Sequence, residues 1–275
     1  MTTTPKLIIF TDLDGTLLDR ETYSFAPAER ALRFIRETSV PLILSTSKTR
    51  AEIEMYRKKL QNTHPFFSEN GGAVFVPKGY FSFPFPCDRE LEEYFVLELG
   101  ASYLQILEVL NSIKRETGVR IKGFSDLTDE ELVVLCGLTL EEAHLAKMRE
   151  YDEPFLIEGG EAEIEVVKRK IAEKGMTCVS GGRFLHLTGK NDKGKAVNVL
   201  KELYGFEFFS ILTVGIGDSP NDCDMLRAVD YPILLDGGKC SSSSIRNLIC
   251  IDGTGPRAWN EAILSLIVDL FKERS

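Results

Sequence analysis

Four groups of polar residues stand where an apolar segment ends or a predicted helix begins. Each group contains side chains that could bind a metal ion, transfer a proton or act as a nucleophile. In open α/β sheets, ligands bind at the carboxyl ends of the strands, so we expect these groups to meet there. The groups are Asp12-Leu13-Asp14-Gly15-Thr16 after the apolar run 7–10, Ser45-Thr46-Ser47-Lys48 after 41–44, Asn191-Asp192-Lys193 at a helix start, and Gly217-Asp218-Ser219-Pro220-Asn221-Asp222 after 211–214.

Together these residue types are suited to phosphoryl transfer. A carboxylate that attacks a phosphate dianion meets a repulsion of about 4 kcal/mol per unit-charge pair at 4 Å and an effective dielectric constant near 20. A hard cation such as Mg²⁺, held by the oxygen atoms of Asp12, Asp14 and Asp218, would remove that obstacle. Lys193 and the Thr46 hydroxyl could hold the phosphoryl oxygens. Asp14 could protonate the leaving oxygen and then activate water.

Each residue also has a structural interpretation when it is taken alone. Asp12 could cap a loop, and Asp218 with Asp222 could form a helix-capping turn. Thr46 could be the N-cap of the following helix, and Lys193 could be a solvated helix residue. The functional interpretation depends on all of them lying at strand ends or helix starts of the same sheet.

The elements needed to bring them together are predicted by an alternating pattern. The chain alternates between short apolar runs and helical segments at both ends, which is typical of βαβ units and a parallel sheet. An apparent hairpin that pairs 73–76 with 80–83 closes the first of these regions, and the pattern then changes to mixed α+β until residue 189. The predicted fold class is therefore α/β, a Rossmann-like parallel-sheet core with an inserted α+β cap domain. We expect the core at residues 1–84 and 190–275 and the cap at 85–189.

Composition narrows the classes of partner. The formal net charge of −9 argues against nucleic-acid binding, and no apolar run is long enough to span a membrane. We therefore expect a small-molecule ligand; the sequence predicts no oligomeric state. The six cysteines form no C-x-x-C pair, which argues against a structural metal cluster. Because residues 1–6 also show no signal-like basic and apolar pattern, we expect reduced thiols and a cytoplasmic location.

The four groups resemble, in order and spacing, the motifs of the haloacid-dehalogenase-like phosphatases. The resemblance implies that Asp12 is the nucleophile and Asp14 the acid/base. It also implies Mg²⁺ on the carboxylates of Asp12 and Asp218 and on the backbone carbonyl of Asp14, with Asp222 beside the metal ion. An insertion between the second and third motifs resembles the family's large cap, which closes over the active site.

A finer resemblance, to the mannosyl-3-phosphoglycerate phosphatase subfamily, is carried by Thr46-Ser47-Lys48-Thr49-Arg50, Glu69-Asn70-Gly71-Gly72, 149–155 and Gly181-Gly182-Arg183-Phe184 with His186. It implies hydrolysis of mannosyl-3-phosphoglycerate to mannosylglycerate, a compatible solute, and phosphate. Such a substrate needs a cation for its carboxylate and polar groups for its sugar hydroxyls. The candidate substrate-binding residues are Lys48, Asn70, Arg149, Gly182, Arg183, His186 and Asn221.

Three alternatives stay open at this point. The substrate could be another sugar phosphate, of the glucosyl-3-phosphoglycerate or sucrose-phosphate type. The enzyme could be a phosphosugar mutase, which returns the phosphoryl group to its substrate instead of to water. The chain could also be a binding module without activity, although Asp14, Lys193 and Asp218 are all present.

Overall fold

The computed structural model describes residues 5–181, 183–236, 240 and 245–272. Strands and helices are numbered in chain order. The strands are β1 (Lys6–Thr11), β2 (Leu42–Ser45), β3 (Phe66–Ser68), β4 (Ala73–Pro77), β5 (Arg89–Glu90), β6 (Tyr94–Glu98), β7 (Ile121–Gly123), β8 (Asp152–Ile157), β9 (Thr177–Gly181), β10 (Phe184–Thr188), β11 (Ile211–Gly217), β12 (Tyr231–Leu235) and β13 (Ile249–Ile251). The helices are α1 (Glu29–Glu37), α2 (Arg50–Leu60), α3 (Tyr103–Thr117), α4 (Asp129–Cys136), α5 (Leu140–Ala146), α6 (Glu161–Glu173), α7 (Lys193–Glu207), α8 (Cys223–Ala228) and α9 (Gly255–Lys272).

The core is a nine-stranded sheet with the order β13-β12-β11-β1-β2-β3-β4-β6-β5. The strands from β13 to β3 pair in parallel, and β4, β6 and β5 add an antiparallel edge. Strand β1 lies between β2 and β11, so the chain direction across the sheet reverses at β1. Thr11 of β1 pairs with Ile216 of β11, which brings the two strand ends to the same height. This reversal opens a crevice at the carboxyl ends of β1 and β11.

Both faces of this sheet are covered by helices, because successive side chains of the central strand enter opposite layers. Ile9 packs in the layer that contains α1, α2 and α9. Ile8 and Phe10 pack in the layer that contains α7 and α8. The predicted α/β core is confirmed.

The insert is a separate layer of structure with its own small core. Its antiparallel sheet has the order β7-β8-β10-β9, and α3 and α6 cover one face of that sheet. A second cluster joins α4 and α5 to Phe124. The predicted N-cap at Thr128 is confirmed, since its hydroxyl accepts a hydrogen bond from the Glu131 backbone N–H. The α+β character expected for the cap is therefore observed.

Two details of the predicted organisation are wrong. Residues 80–83 do not pair with β4, because β6 occupies that edge; Tyr80 and Phe81 instead pack their rings against Tyr204. The boundary expected at residue 85 falls ahead of β5 and β6, which belong to the core sheet, and the cap's own sheet begins only at β7. The prolines near 84–86 suggested a linker, but hydrogen bonding to β4 continues the core beyond them.

The expectation that all cysteines are reduced is also wrong. Cys223 at the start of α8 and Cys240 beyond β12 form a disulfide with a Cα–Cα distance of 5.7 Å. Sixteen residues separate the two in sequence, so only the packing of α8 beside the end of β12 brings them within bonding range.

Within the described ranges, no helix combines the length and apolar character that a membrane crossing requires.

Gly71 marks the closest approach between the β3–β4 turn and α7. Its φ is +80°, and a Cβ placed there would lie 2.3 Å from the carbonyl oxygen of Asp192. Glu69 and Asn70 also have positive φ angles, of 49° and 57°. This turn is therefore held in an unfavourable backbone conformation by its surroundings.

We predict that Gly71→Ala destabilises the protein much more than Gly79→Ala. Gly79 has a similar φ of +77°, but a Cβ there would meet no atom within 4 Å. Both replacements carry the left-handed backbone cost of about 1–2 kcal/mol, and only Gly71→Ala adds the clash, about 1–3 kcal/mol more. Urea denaturation measures both free energies of unfolding; equal losses would contradict the close approach.

Candidate active site

Three carboxylates meet at the crevice between β1 and β11. Asp12 directly follows β1, and its backbone N–H donates to the Ile216 carbonyl at 2.9 Å. Asp218 directly follows β11, and Asp222 lies one turn further along the chain. One carboxylate oxygen from each of Asp12, Asp218 and Asp222 lies within 4.8 Å of the others, and all three residues are buried. The sequence-predicted convergence of the first and last groups is thus observed.

Lys193 lies among these carboxylates with its side chain fully buried. Helix α7 begins at this residue, after an N-cap in which the Asp192 carboxylate accepts from the Lys195 backbone N–H at 2.8 Å. The Lys193 Nζ donates to Asp12 Oδ1 at 2.7 Å, to Asp222 Oδ1 at 2.6 Å and to the Ser45 carbonyl at 3.1 Å. Burial alone would lower its pKa, but Asp12 and Asp222 outweigh burial and raise it. The ammonium group therefore stays charged at neutral pH.

The carboxylates still lack sufficient positive charge. Burial raises the pKa of Asp12 well above its ordinary value, and repulsion from Asp222 and Asp218 adds to this, against the effect of Lys193. Burial and Asp222 likewise raise the pKa of Asp218, although Arg20 bonds to its Oδ2. An all-oxygen donor set with unbalanced negative charge suits a hard divalent cation. The residues present therefore fit a magnesium ion.

Asp222 organises the loop that carries Asp218. Its Oδ2 accepts from the backbone N–H groups of Asp218 and Ser219, each at 3.1 Å, while its Oδ1 accepts from Lys193. The same Asp222 carboxylate therefore holds the loop in place and balances the positive charge of Lys193. Thr16, which was not singled out beyond its motif, donates its hydroxyl to Asp218 Oδ1 at 3.2 Å.

Asp14 is set apart from the three clustered carboxylates. Its Oδ2 lies 3.0 Å from Lys48 Nζ, and its Oδ1 is buried without a hydrogen-bond partner. An unpaired buried carboxyl oxygen is costly unless a proton or a ligand satisfies it. This arrangement suits an acid/base group that exchanges a proton with a bound molecule.

Thr46 follows β2 and is almost fully buried. Its hydroxyl accepts from the Lys48 backbone N–H at 3.3 Å, and the helix N-cap is Thr49 rather than Thr46. Neither Thr46 nor Lys193 lines the cavity that lies between the core and the cap, because both side chains are buried below it.

A cavity of about 700 Å³ lies between the core and the cap, above these groups. Its volume is in the range of small-molecule sites. The core contributes catalytic candidates and the cap contributes aromatic and basic side chains. The lining side chains from the core include Asp12, Asp14, Arg20, Tyr23, Lys48, Glu52, Asp218 and Asn221. Those from the cap include Phe124, Arg149, Arg183, Phe184 and His186.

The candidate substrate-binding residues of the cap and turn differ in their placement. Arg149 lines the cavity but is held by the carbonyls of Ala146 at 2.9 Å and Ser47 at 2.8 Å. Arg183 is exposed at the rim, where Nη1 donates to the Leu135 carbonyl at 3.0 Å. Gly182 lies outside the described residues.

A buried hydrogen-bond chain connects the catalytic loop to the cap. Asn221 Nδ2 donates to Asn70 Oδ1 at 3.0 Å, and Asn70 Nδ2 donates to Asp152 Oδ2 at 2.7 Å. His186 Nδ1 is 2.9 Å from Asp152 Oδ1, and the ring borders the cavity beside Gly181. Asn70 itself does not line the cavity, so the structure gives it a connecting position instead of a direct contact with a ligand.

The cap is also fastened to the core through Glu69. Its buried carboxylate accepts from the backbone N–H groups of Glu150 at 3.1 Å and Tyr151 at 2.8 Å. Burial raises the pKa of Glu69 to about 8, although Arg149 acts in the opposite direction. Sequence reasoning missed this role, because the charged residue precedes a glycine-rich turn and reads as exposed.

Arg20, Tyr23 and Glu52 were missed as members of the site. Arg20 bonds to Asp218 across Gly15, where a Cβ would lie 2.5 Å from Arg20 Nε in its present position. Tyr23 and Glu52 both contact Lys48. One signal in the sequence could have identified Glu52. A buried Lys48 needs a counter-ion, and Glu52 lies four positions after it.

Comparisons with known proteins identify the family of this chain. The haloacid dehalogenase-like hydrolase family matches residues 9–99. A glucosyl-3-phosphoglycerate/mannosyl-3-phosphoglycerate phosphatase from Methanococcoides burtonii is 46% identical over 95% of this chain and 97% of its own. A mannosyl-3-phosphoglycerate phosphatase from Pyrococcus furiosus is 36% identical over 83% of this chain and 90% of its own.

The fold is found in solved structures as well. The crystal structure of a haloacid dehalogenase-like hydrolase from Bacteroides thetaiotaomicron superimposes with a TM-score of 0.66 at 18% identity, over 96% of this chain and 100% of that one. At that identity the likeness concerns the fold alone. The sequence identity to the phosphatases, over nearly the whole length, is what decides the family. The chain belongs to the haloacid dehalogenase-like hydrolases and, within them, to the family of the glucosyl-3-phosphoglycerate/mannosyl-3-phosphoglycerate phosphatases.

Proposed function

We propose that this protein is a magnesium-dependent phosphatase that hydrolyses glucosyl-3-phosphoglycerate and mannosyl-3-phosphoglycerate to the glycosylglycerate and phosphate. The observation that carries the proposal is the 46% identity, over almost the whole chain, to a phosphatase named for both substrates. Asp12 and Asp14 line a cavity between the core and the cap, and Lys193 contacts Asp12 from below; this arrangement supports the same chemistry.

The carboxylates of Asp12 and Asp218, with Asp222 adjacent, would hold the magnesium ion. When bound, the ion supplies positive charge that offsets the repulsion between the carboxylates and an incoming phosphate. The side chain of Asp14 stays outside this cluster and is free for proton transfer. Lys193 adds a fixed positive charge to the nucleophile from below, 2.7 Å from Asp12 Oδ1.

In the first half-reaction, an Asp12 carboxylate oxygen attacks phosphorus and the bond from phosphorus to the ester oxygen breaks. Asp14 gives its proton to that oxygen, so the glycosylglycerate leaves as a neutral alcohol at that position. In the second half-reaction, Asp14 takes a proton from water, the water oxygen attacks phosphorus, and the bond from phosphorus to Asp12 breaks. Phosphate leaves, and both carboxyl groups return to their starting states.

The cap would exclude bulk water and orient the sugar-glycerate part of the substrate. It is tethered close to the reacting groups by contacts between α5 and α2. Thr49 donates its hydroxyl to the Leu145 carbonyl at 2.8 Å, and Arg50 forms an ion pair with Glu150 at 2.9 Å. These exposed or part-buried contacts are weak enough individually to open for substrate entry.

We also propose that the enzyme works in the cytoplasm. A glycosyl-3-phosphoglycerate carries both phosphate and carboxylate charges, and such an ion does not cross a bilayer unaided. The Cys223–Cys240 disulfide does not oppose this proposal by itself, because its sulfur atoms are buried beside the α7 and α8 layer.

A panel of phosphate esters tests the substrate assignment. We expect glucosyl- and mannosyl-3-phosphoglycerate to be hydrolysed with far higher kcat/KM than sucrose phosphate or hexose phosphates, measured as phosphate release with Mg²⁺ and with a chelator. Preference for a hexose phosphate would overturn the substrate and leave the chemistry. Rapid isomerisation of a sugar phosphate without net phosphate release would identify a mutase instead.

Metal binding can be tested without turnover. We expect Mg²⁺ to raise the melting temperature of the wild type, with a stabilisation of about 2.7 kcal/mol when free Mg²⁺ exceeds its Kd a hundredfold. Asp218→Asn should lose most of that shift because a charged ligand is gone. Asp224→Asn, an exposed carboxylate on α8, is the matched control and should keep it. An unchanged shift in Asp218→Asn would remove that residue from the metal site.

The two roles of Asp14 can be separated with p-nitrophenyl phosphate, whose leaving group needs no proton. Asp14→Asn should still form the aspartyl phosphate from this substrate but hydrolyse it slowly, because no base activates water. Stopped-flow absorbance should show a burst of about one p-nitrophenolate per active site and then a steady rate about 10²–10⁴-fold below wild type. A wild-type steady rate would exclude Asp14 as the base.

A further inference from the structure

The proposed substrate is negatively charged, so the cavity that binds it needs positive charge. The described residues that line the cavity include four cationic side chains. Three of them make their contacts away from Asp14. Arg20 bonds to Asp218, Arg149 is held by the carbonyls of Ala146 and Ser47, and Arg183 donates to the Leu135 carbonyl at the exposed rim. The fourth is Lys48, and it alone among these four lies against the acid/base residue.

Lys48 lies in a preformed enclosure beside Asp14. Its side chain is only 9% exposed, and its Nζ is 3.0 Å from Asp14 Oδ2 and 3.5 Å from Glu52 Oε1. The rings of Tyr23 and Tyr56 flank the ammonium at 5.1 Å and 5.7 Å. An ammonium has three N–H groups, so one donor remains beyond the two carboxylates. Lys48 lines the cavity, where that donor can meet a ligand.

The charge of Lys48 is secure in this position. The carboxylates of Asp14 and Glu52 lie beside the ammonium group and favour its charged form. A buried ammonium group with a free donor can form a charge-assisted hydrogen bond to an anion with little competition from water.

The position of Lys48 matches one group of the proposed substrate. The ester oxygen must lie within hydrogen-bond reach of Asp14 when it accepts the proton. In a 3-phosphoglycerate, two carbon atoms separate that oxygen from the carboxylate carbon, a span of about 4 Å or less. A carboxylate at that distance from the ester oxygen falls in the neighbourhood of Lys48 Nζ.

We propose that Lys48 binds the carboxylate of the substrate and thereby makes the enzyme selective for phosphate esters that carry a carboxylate on the carbon adjacent to the ester carbon. This inference rests on the proposed function and adds to it the residue that reads the glycerate. Lys48 is then a specificity-determining residue that touches substrate, while its contact with Asp14 positions the acid/base group.

A matched pair of substrates separates these two roles. The pair is glucosyl-3-phosphoglycerate and glucosylglycerol 3-phosphate, which has a hydroxymethyl group in place of the carboxylate. The measured quantity is the ratio of their kcat/KM values. Any effect of Lys48 through Asp14 changes both substrates equally and cancels in the ratio, whereas binding of the carboxylate does not cancel.

We expect the wild type to prefer the carboxylate substrate. In Lys48→Met and Lys48→Gln the ratio should fall about ten- to a hundredfold, mainly through KM. Lys58→Met is the control, because Lys58 is exposed on α2, the helix that follows Lys48, and its loss also removes one positive charge. Its ratio should stay at the wild-type value. Hydrolysis of the alcohol analogue shows that each variant is folded.

If a Lys48 variant turns over neither compound, the same ratio is measured as the Kd of glucosylglycerate against that of glucosylglycerol. A ratio unchanged in the Lys48 variants, by either method, would overturn the inference. A wild type that hydrolyses both phosphate esters equally would overturn it too, with the phosphatase activity intact. A wild type that releases phosphate from neither would instead refute the proposed function.

Discussion

The burial of one lysine among carboxylates is the constraint on which this structure depends. Lys193 Nζ bonds to Asp12, Asp222 and the Ser45 carbonyl, and so joins the start of α7 to the ends of β1 and β2 and to the loop after β11. A buried charge without a partner costs several kcal/mol, and removal of one partner of such a pair typically costs 3–5 kcal/mol, roughly. The contacts that compensate for the burial of the Lys193 charge therefore also hold the nucleophile, Asp12, in place.

The cap is attached to this centre by a turn that combines strain with hydrogen bonding. Glu69, Asn70 and Gly71 all have positive φ angles, a conformation that side-chain-bearing residues rarely adopt. Glu69 binds two backbone N–H groups of the cap, and Asn70 links Asp152 of the cap to Asn221 of the catalytic loop. The cap sheet is thus linked by a short chain of hydrogen bonds to the loop that carries Asp218.

The local signals in the sequence were reliable where a local interaction decides the structure. The apolar run before Asp12 is a strand, and the Thr128 capping box begins a helix. They failed where a distant partner decides. Residues 80–83 have strand-like composition, but β6 already pairs with that edge of β4, and Cys223 meets Cys240 only because α8 packs beside the end of β12. Asn70 was expected at the ligand and lies instead between the core and the cap.

By itself, the sequence determined the alternation that builds a parallel core, the four polar groups at its strand ends and the order in which they occur. These follow from residue type and spacing, which are local properties, and topology then forces strand ends to one edge of the sheet. Only the tertiary structure decided which charges pair: Lys48 with Asp14, Arg20 with Asp218 and Glu69 with the cap backbone. Coulomb energies depend on distance and burial, and neither is written in the order of residues along a chain.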